Sequence, residues 1–144
     1  MTAIRIHTLG VDDYDTICAV WEASGLPARP NGRDSRENFV RQMTGGQQTV
    51  LAAEIDGQIV GVVLTTHDGR KGWINRLAVV QGFQRRGVGR ALIHAAEDLL
   101  RAQGLMIIAA LIEHDNDASL ALFKSEGYQV GDVYYVTKRD RPDV

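Results

Sequence analysis

Val79-Val80-Gln81-Gly82-Phe83-Gln84-Arg85-Arg86-Gly87-Val88-Gly89-Arg90-Ala91-Leu92 joins two kinds of periodicity. Before it, Gly72 to Val79 reads as a strand. After it, Val88 to Gln103 reads as a helix, with Ala91, Leu92, Ala95, Ala96, Leu99 and Leu100 as its buried stripe. A chain that passes from a strand through glycines into a helix makes an anion site. The first helical N–H groups lack intrahelical partners, and the helix dipole adds about half a positive charge there. Gly87 and Gly89 carry no side chain to hold a phosphate off the backbone, and Arg85, Arg86 and Arg90 extend cationic reach. The stretch predicts a bound phosphate or pyrophosphate.

Two nucleotide motifs fail here. Gly82 and Gly87 have P-loop spacing, but Val88-Gly89 stands where Lys-Ser/Thr is required, which argues against an NTPase. Gly87-Val88-Gly89-Arg90-Ala91-Leu92 starts like a dinucleotide fingerprint, but Leu92 takes the place of its last small residue.

Upstream, Ala3 to Leu9 reads as a first strand. Asp12 and Asp13 open a helix carrying Val11, Tyr14, Ile17, Cys18 and Trp21 at helical spacing. Ser24 to Asp34 is a Gly/Pro-rich loop, and Asp34 or Ser35 caps a short second helix. Thr49 to Ile55 and Gln58 to Thr66 form a hairpin about Asp56-Gly57. Downstream, the apolar run Leu105 to Ile112 reads as a strand covered on both faces, and Asn116 or Asp117 caps another helix. Tyr128 to Lys138 reads as a final strand. The order is β-α-α-β-β-β-α-β-α-β, a mixed α/β sheet flanked by helices.

A chain of 144 residues is most economically one domain, 1–144. Hydrophobic content of 44% and charged content of 24% fit an ordinary globular protein, and a formal charge of −2 argues against a nucleic-acid surface. The single cysteine, Cys18, excludes an internal disulfide, and the four histidines lack metal-ligand spacing, so no metal is implied. No signal peptide or membrane-length apolar run is present, which points to the cytoplasm and away from membranes. Should the chain self-associate, a homodimer is the expected assembly.

Gln84-Arg85-Arg86-Gly87-Val88-Gly89 resembles the Q/R-x-x-G-x-G/A motif of the GNAT superfamily of N-acetyltransferases. Ile74-Asn75-Arg76-Leu77-Ala78-Val79 is similar to its central strand. Asn116 to Tyr128, where Asn precedes a short helix ending in Gly-Tyr, resembles its second motif. The resemblance is to a small stand-alone, bacterial-type member. It implies acetyl-coenzyme A as donor and a primary amine, on a small molecule or a peptide or protein, as acceptor. It implies that the fourth and fifth strands splay to admit the pantetheine arm. It also implies that the backbones of Ala78 and Val79 pair with that arm, and that the amides of Arg85, Arg86, Gly87, Val88, Gly89 and Arg90 hold the pyrophosphate. Gln84 would orient the turn, and Asn116 and Phe123 would border the cofactor. The expected reaction is direct attack on the thioester carbonyl, polarised by an N–H near Val79.

Phe123 stands where many members carry tyrosine as general acid, and phenylalanine has no proton to donate. Tyr134, Tyr135 or water then substitutes, with Tyr134 preferred. Glu113, His114 and Glu22 are the candidate bases. Acceptor contacts are expected from Glu22, Arg29, Arg33 and Asn75, with Trp21 and Asp34 nearby. Arg29 and Arg33 in one loop suggest an acceptor carboxylate. Two other readings share these residues: a catalytically silent acyl-CoA-binding module, and a regulatory or interaction subunit that keeps only the fold.

Overall fold

The computed structural model describes residues 3–28 and 30–142. Its elements run β1 (Arg5–Leu9), α1 (Tyr14–Ser24), α2 (Arg36–Thr44), β2 (Gln48–Ile55), β3 (Gln58–His67), β4 (Gly72–Val79), α3 (Val88–Ala102), β5 (Ile108–Ala110) and α4 (Asp117–Ser125). The strands form one sheet in the order β1-β2-β3-β4-β5. The first three pairings are antiparallel and β4–β5 is parallel, bridged by α3 as the crossover. This is the mixed α/β architecture expected from the sequence. No helix among the described residues is long and apolar enough to cross a membrane.

The sheet is covered on both faces because its strands alternate. Leu51, Ala53 and Ile55 of β2 face α3, while Val50 and Ala52 face α1 and α2. In β4 that alternation breaks. Ile74 packs on the α3 side, yet Ala78, four residues on, packs on the α1/α2 side. The cause is a bulge. The register slips between Val62↔Ala78 and Leu64↔Asn75, so Arg76 and Leu77 together oppose Val63. Arg76 takes a left-handed φ of 52° to make it. One extra residue flips every later side chain to the other face.

The helix α3 lies close on the sheet. A Cβ on Gly61 of β3 would stand 2.9 Å from Val88 Cγ1 and 3.0 Å from Leu92 Cδ1. The glycine therefore sets how near the α3 N-terminus sits to β3. Farther along, α3 is tied to α4: Arg90 Nε lies 2.8 Å from Glu126 Oε2, and His94 bonds the other carboxylate oxygen. The His94 hydrogen bond first, and the Arg90 charge after it, hold the Glu126 carboxyl below its usual range. A depressed carboxyl contributes stability above its unfolded value, and that contribution is lost as pH falls through the folded value. Glu126→Gln should therefore lower the melting temperature at neutral pH. The gap to the parent should close as pH is taken from about 7 to about 3. Thermal denaturation across that range is the check, and a gap that stays constant with pH would contradict the assignment.

Two expectations for the C-terminal third are corrected. The apolar run Leu105 to Ile112 pairs only over Ile108–Ala110, and Met106, Ile107 and Leu111 are exposed rather than covered. Tyr128 to Lys138 forms no strand. Val133, Tyr134, Tyr135 and Val136 are consecutive apolar residues, a pattern that needs cover on both faces. All four are solvent-exposed, and Gly131-Asp132 interrupts the alternation before them.

Candidate active site

Pairing between β4 and β5 covers only Gly72, Trp73 and Ile74. From Asn75 to Val79 the outer edge of β4 has no strand partner among the described residues. Two parallel strands that meet at one end and part at the other leave a wedge at their C-terminal ends, where α/β sheets take ligands. The polarity of that edge follows from alternation. Val80 N donates to Val60 O at 2.9 Å, toward β3. The Val79 N–H, one residue earlier, therefore points the other way, into the wedge.

Beyond β4 the chain turns through Gly82, at φ 94°, and Phe83 N bonds Val80 O at 3.0 Å. Gln81 N donates to Ala23 O at 3.2 Å and fastens the loop to α1. The Gln84 amide donates to Val79 O at 3.4 Å, linking the strand end to the turn. Arg85 takes φ 65° and Gly87 φ 83°, and Gly87 is the N-cap of α3. This cap differs from two others in the chain. Ser35 caps α2 by accepting from Asn38 N at 3.1 Å, and Asn116 caps α4 by accepting from Ser119 N at 3.1 Å. Gly87 has no side chain to do so, and no acidic residue lies in the first turn of α3. Its leading N–H groups are left for an anion.

The two motif glycines serve different ends. A Cβ on Gly87 would meet nothing within 4 Å, so the space over it is open. A Cβ on Gly89 would come 2.9 Å from Leu122 Cδ2, so its bareness lets α4 approach α3. The arginines here are partly committed. Arg90 holds Glu126, and the Arg86 guanidinium lies 5.0 Å over the Phe83 ring. Val88 is buried in the core and contributes its backbone only.

Other expected site residues fall in several places. Ala78 is buried on the α1/α2 side. Asn75 Nδ2 donates to Thr66 Oγ1 at 3.0 Å across the strand pair. Phe123 is buried, edge-on to Tyr128 with ring centroids 5.0 Å apart. The Tyr128 hydroxyl donates to Glu97 Oε2 at 2.6 Å, and burial with that hydrogen bond pushes its pKa up. Glu113 and His114 are exposed in the turn between β5 and α4, and Glu22 is exposed on the last turn of α1. Tyr134, at 98% exposed, lies on no strand, and Tyr135 is exposed as well. Arg29 lies outside the described residues.

One residue beside the wedge escaped the sequence reading. Arg76 points from the bulge toward α1, with its guanidinium 4.1 Å from the Trp21 ring centroid. It donates to Pro27 O at 2.9 Å and lies 3.6 Å from Asp34 Oδ2. Burial pulls its pKa down, and Asp34 opposes that shift. Arg33 Nε is 3.9 Å from the same Asp34 oxygen. Asp34 thus joins the α1–α2 loop to the sheet beside the wedge. The signal in the sequence is an arginine at the centre of a strand that otherwise carries only Asn75 as a polar residue between Ile74 and Val79.

The model of the acetyltransferase (GNAT) family matches residues 15–128. An acetyltransferase of Pectobacterium atrosepticum is 32% identical over 136 residues, which are 94% of this chain and 95% of that protein. Among solved structures, the PaiA N-acetyltransferase of Thermoplasma acidophilum in complex with coenzyme A superposes with a TM-score of 0.79. It is 18% identical, over 92% of this chain and 93% of that one. The aminoglycoside acetyltransferase AAC(6')-Iy, bound to a bisubstrate analogue of coenzyme A and acetylneamine, superposes with a TM-score of 0.81. It is 16% identical, over 95% of this chain and 99% of that one.

Proposed function

The chain belongs to the GNAT family of acetyltransferases, and from that premise we propose that it moves the acetyl group of acetyl-CoA directly to a primary amine. The observation that carries the reading is the continuity of two open backbone features: the unpaired β4 edge ending at Val79, and the uncapped α3 N-terminus at Gly87. The first suits the amides of a pantetheine arm, which would add to the edge as a strand does. The second suits a diphosphate. Gln84 links the two. Asn116, already capping α4, would border the arm from the far side, with Phe123 packed beneath.

With the donor so held, the Val79 N–H faces the thioester carbonyl and stabilises the charge that grows on its oxygen. The amine lone pair attacks the carbonyl carbon, a C–N bond forms and the C–S bond breaks. The ammonium proton leaves through water to Glu113. The sulfur departs as thiolate, a competent leaving group with a pKa near 8.5 by analogy with cysteine, and takes its proton from water. Phe123 cannot supply that proton, and Tyr134 stands in solvent. Glu22, Arg33 and Asn75 would line the acceptor side. The reading is of one catalytic domain working in the cytoplasm, where acetyl-CoA is available.

Glu113→Gln should lower kcat by about 10²-fold, the lower range for general acid–base assistance, and leave the KM for acetyl-CoA unchanged. Tyr134→Phe should leave kcat within about twofold, since a side chain almost wholly in solvent is held in no fixed geometry toward a reacting atom. Thiol release from acetyl-CoA with a panel of amines measures both, and the reverse order of effects would reinstate the tyrosine. The missing hydroxyl at Phe123 favours a second reading, an acyl-CoA-binding module without turnover. Tight acetyl-CoA binding by calorimetry, with no thiol release for any amine, would select it.

A further inference from the structure

A groove of about 410 Å³ lies between α2 and the terminal segment. Four of its lining side chains are cationic: Arg33, Arg41, Lys138 and Arg139. One, Asp140, is anionic. Asn38 and Gln42 brace this wall, Asn38 Oδ1 accepting from Arg41 and Gln42 Nε2 donating to Arg33 O at 3.3 Å. The whole chain carries a formal charge of −2, so this local excess of cations runs against the average. The cationic zone is continuous with the sheet. Arg33 lines the groove and shares Asp34 with Arg76, at 3.9 and 3.6 Å. Arg76 lies three residues before Val79, roughly 10 Å along a strand at about 3.3 Å per residue. The donor's phosphates belong to the other side of β4, at the start of α3. On the acetyltransferase reading, an amine that comes to the thioester past the α1–α2 loop would pass this groove, which Arg33 of that loop lines.

We propose that the acceptor is an amine carrying a carboxylate, which the cationic groove receives, and that polycationic amines are turned away. This rests on the acetyltransferase reading and deepens it. Guanidinium groups match carboxylates in planar, paired hydrogen bonds, and a cationic rim concentrates anions and repels cations. The aminoglycoside acetyltransferases share this fold, but a polycationic aminoglycoside would meet like charge at Arg33, Arg41 and Lys138.

The test compares glutamyl-glutamate with the amide of glutaminyl-glutamine, with free glutamate and with kanamycin, by thiol release at low and raised salt. The carboxylate dipeptide should exceed its amide by about 10–100-fold in kcat/KM, the range for hydrogen bonds to charged groups. That advantage should shrink with salt. Free glutamate matching the dipeptide would identify a small-molecule source of the carboxylate, and the dipeptide alone would identify a peptide; either supports the groove. The double reversal Arg41→Glu with Lys138→Glu should erase the advantage through KM, leaving acetyl-CoA affinity by calorimetry untouched. Equal rates for acid and amide, or a preference for kanamycin, would overturn the proposal. Amide spectra of the protein titrated with glutamyl-glutamate decide the groove without turnover. Shifts at Arg33, Arg41 and Gln42 that vanish in the double variant support it, and their absence overturns it. Failure of acetyl-CoA itself to bind would sink the acetyltransferase reading and is seen separately.

Discussion

Gly87→Val is expected to weaken acetyl-CoA binding by at least about 10²-fold while leaving the protein folded. Gly87 holds φ 83°, and a Cβ there would meet nothing within 4 Å. The variant therefore suffers strain without overpacking, about 1–2 kcal/mol for an L-residue in the left-handed region. The branched side chain would occupy the open space over the first turn of α3. Charge-assisted hydrogen bonds are worth roughly 1.5–3 kcal/mol each, so two lost N–H contacts account for about 10²–10⁴ in affinity. Gly57→Val supplies the control. Gly57 holds φ 80° with nothing within 4 Å of its Cβ, but it lies in the β2–β3 turn. It should show the same strain in thermal denaturation and unchanged acetyl-CoA affinity by calorimetry. Equal affinities for both variants would remove the cradle from the account.

Arg76→Ala should be the most destabilising polar substitution in the protein. Three interactions go together: the stacking on Trp21, the hydrogen bond to Pro27 O and the pairing with Asp34. The Arg76 and Asp34 side chains are only 17% and 9% exposed, so solvent replaces the lost partner poorly. Stripping one member of a buried pair costs about 3–5 kcal/mol. Arg33 stays beside Asp34 and offsets part of that loss. The expected net is about 2–3 kcal/mol, a melting temperature lower by roughly 6–12 °C for a chain of this size. Arg76→Lys should recover less than half, because an ammonium neither stacks flat nor forks. The double variant Arg76→Met with Asp34→Asn should cost less than Arg76→Ala alone, since it strands no buried charge and the half-exposed Arg33 is left to solvent. Denaturant unfolding of the three variants checks the ordering. If the double variant proves the worst of them, the pair is not what holds the loop.

Much of this was legible in the sequence because it is local. The stripe Ala91 to Leu100 fixes α3, Asp56-Gly57 fixes the β2–β3 turn, and the glycines after Val79 mark where strand becomes helix. Both turn residues do adopt positive φ, 51° and 80°. What escaped depends on pairing. A bulge leaves no trace in a strand's own pattern, so Arg76 reads as one more strand residue between Asn75 and Leu77. The Leu105 to Ile112 run carries strand character, but its length as a strand is set by where β4 diverges, at Ile74↔Ala110. Tyr128 to Lys138 has strand composition without a partner edge. Tyr134 was singled out on the assumption that this segment folds back onto the sheet, and it is solvent-exposed. The charge of the α2 groove also escaped, because Arg33 and Lys138 meet only in the folded chain.

On the proposed reading, main-chain N–H groups, and not the arginine side chains, grip the donor's diphosphate. Amide nitrogen–proton spectra recorded during titration with coenzyme A, and separately with pantetheine, test it most directly. The account predicts large shifts at Val88, Gly89 and Arg90 with coenzyme A, and a shift confined to the Val79 region with pantetheine, which lacks phosphates. Helix-start resonances that stay still with coenzyme A, or that move equally with both ligands, would contradict it.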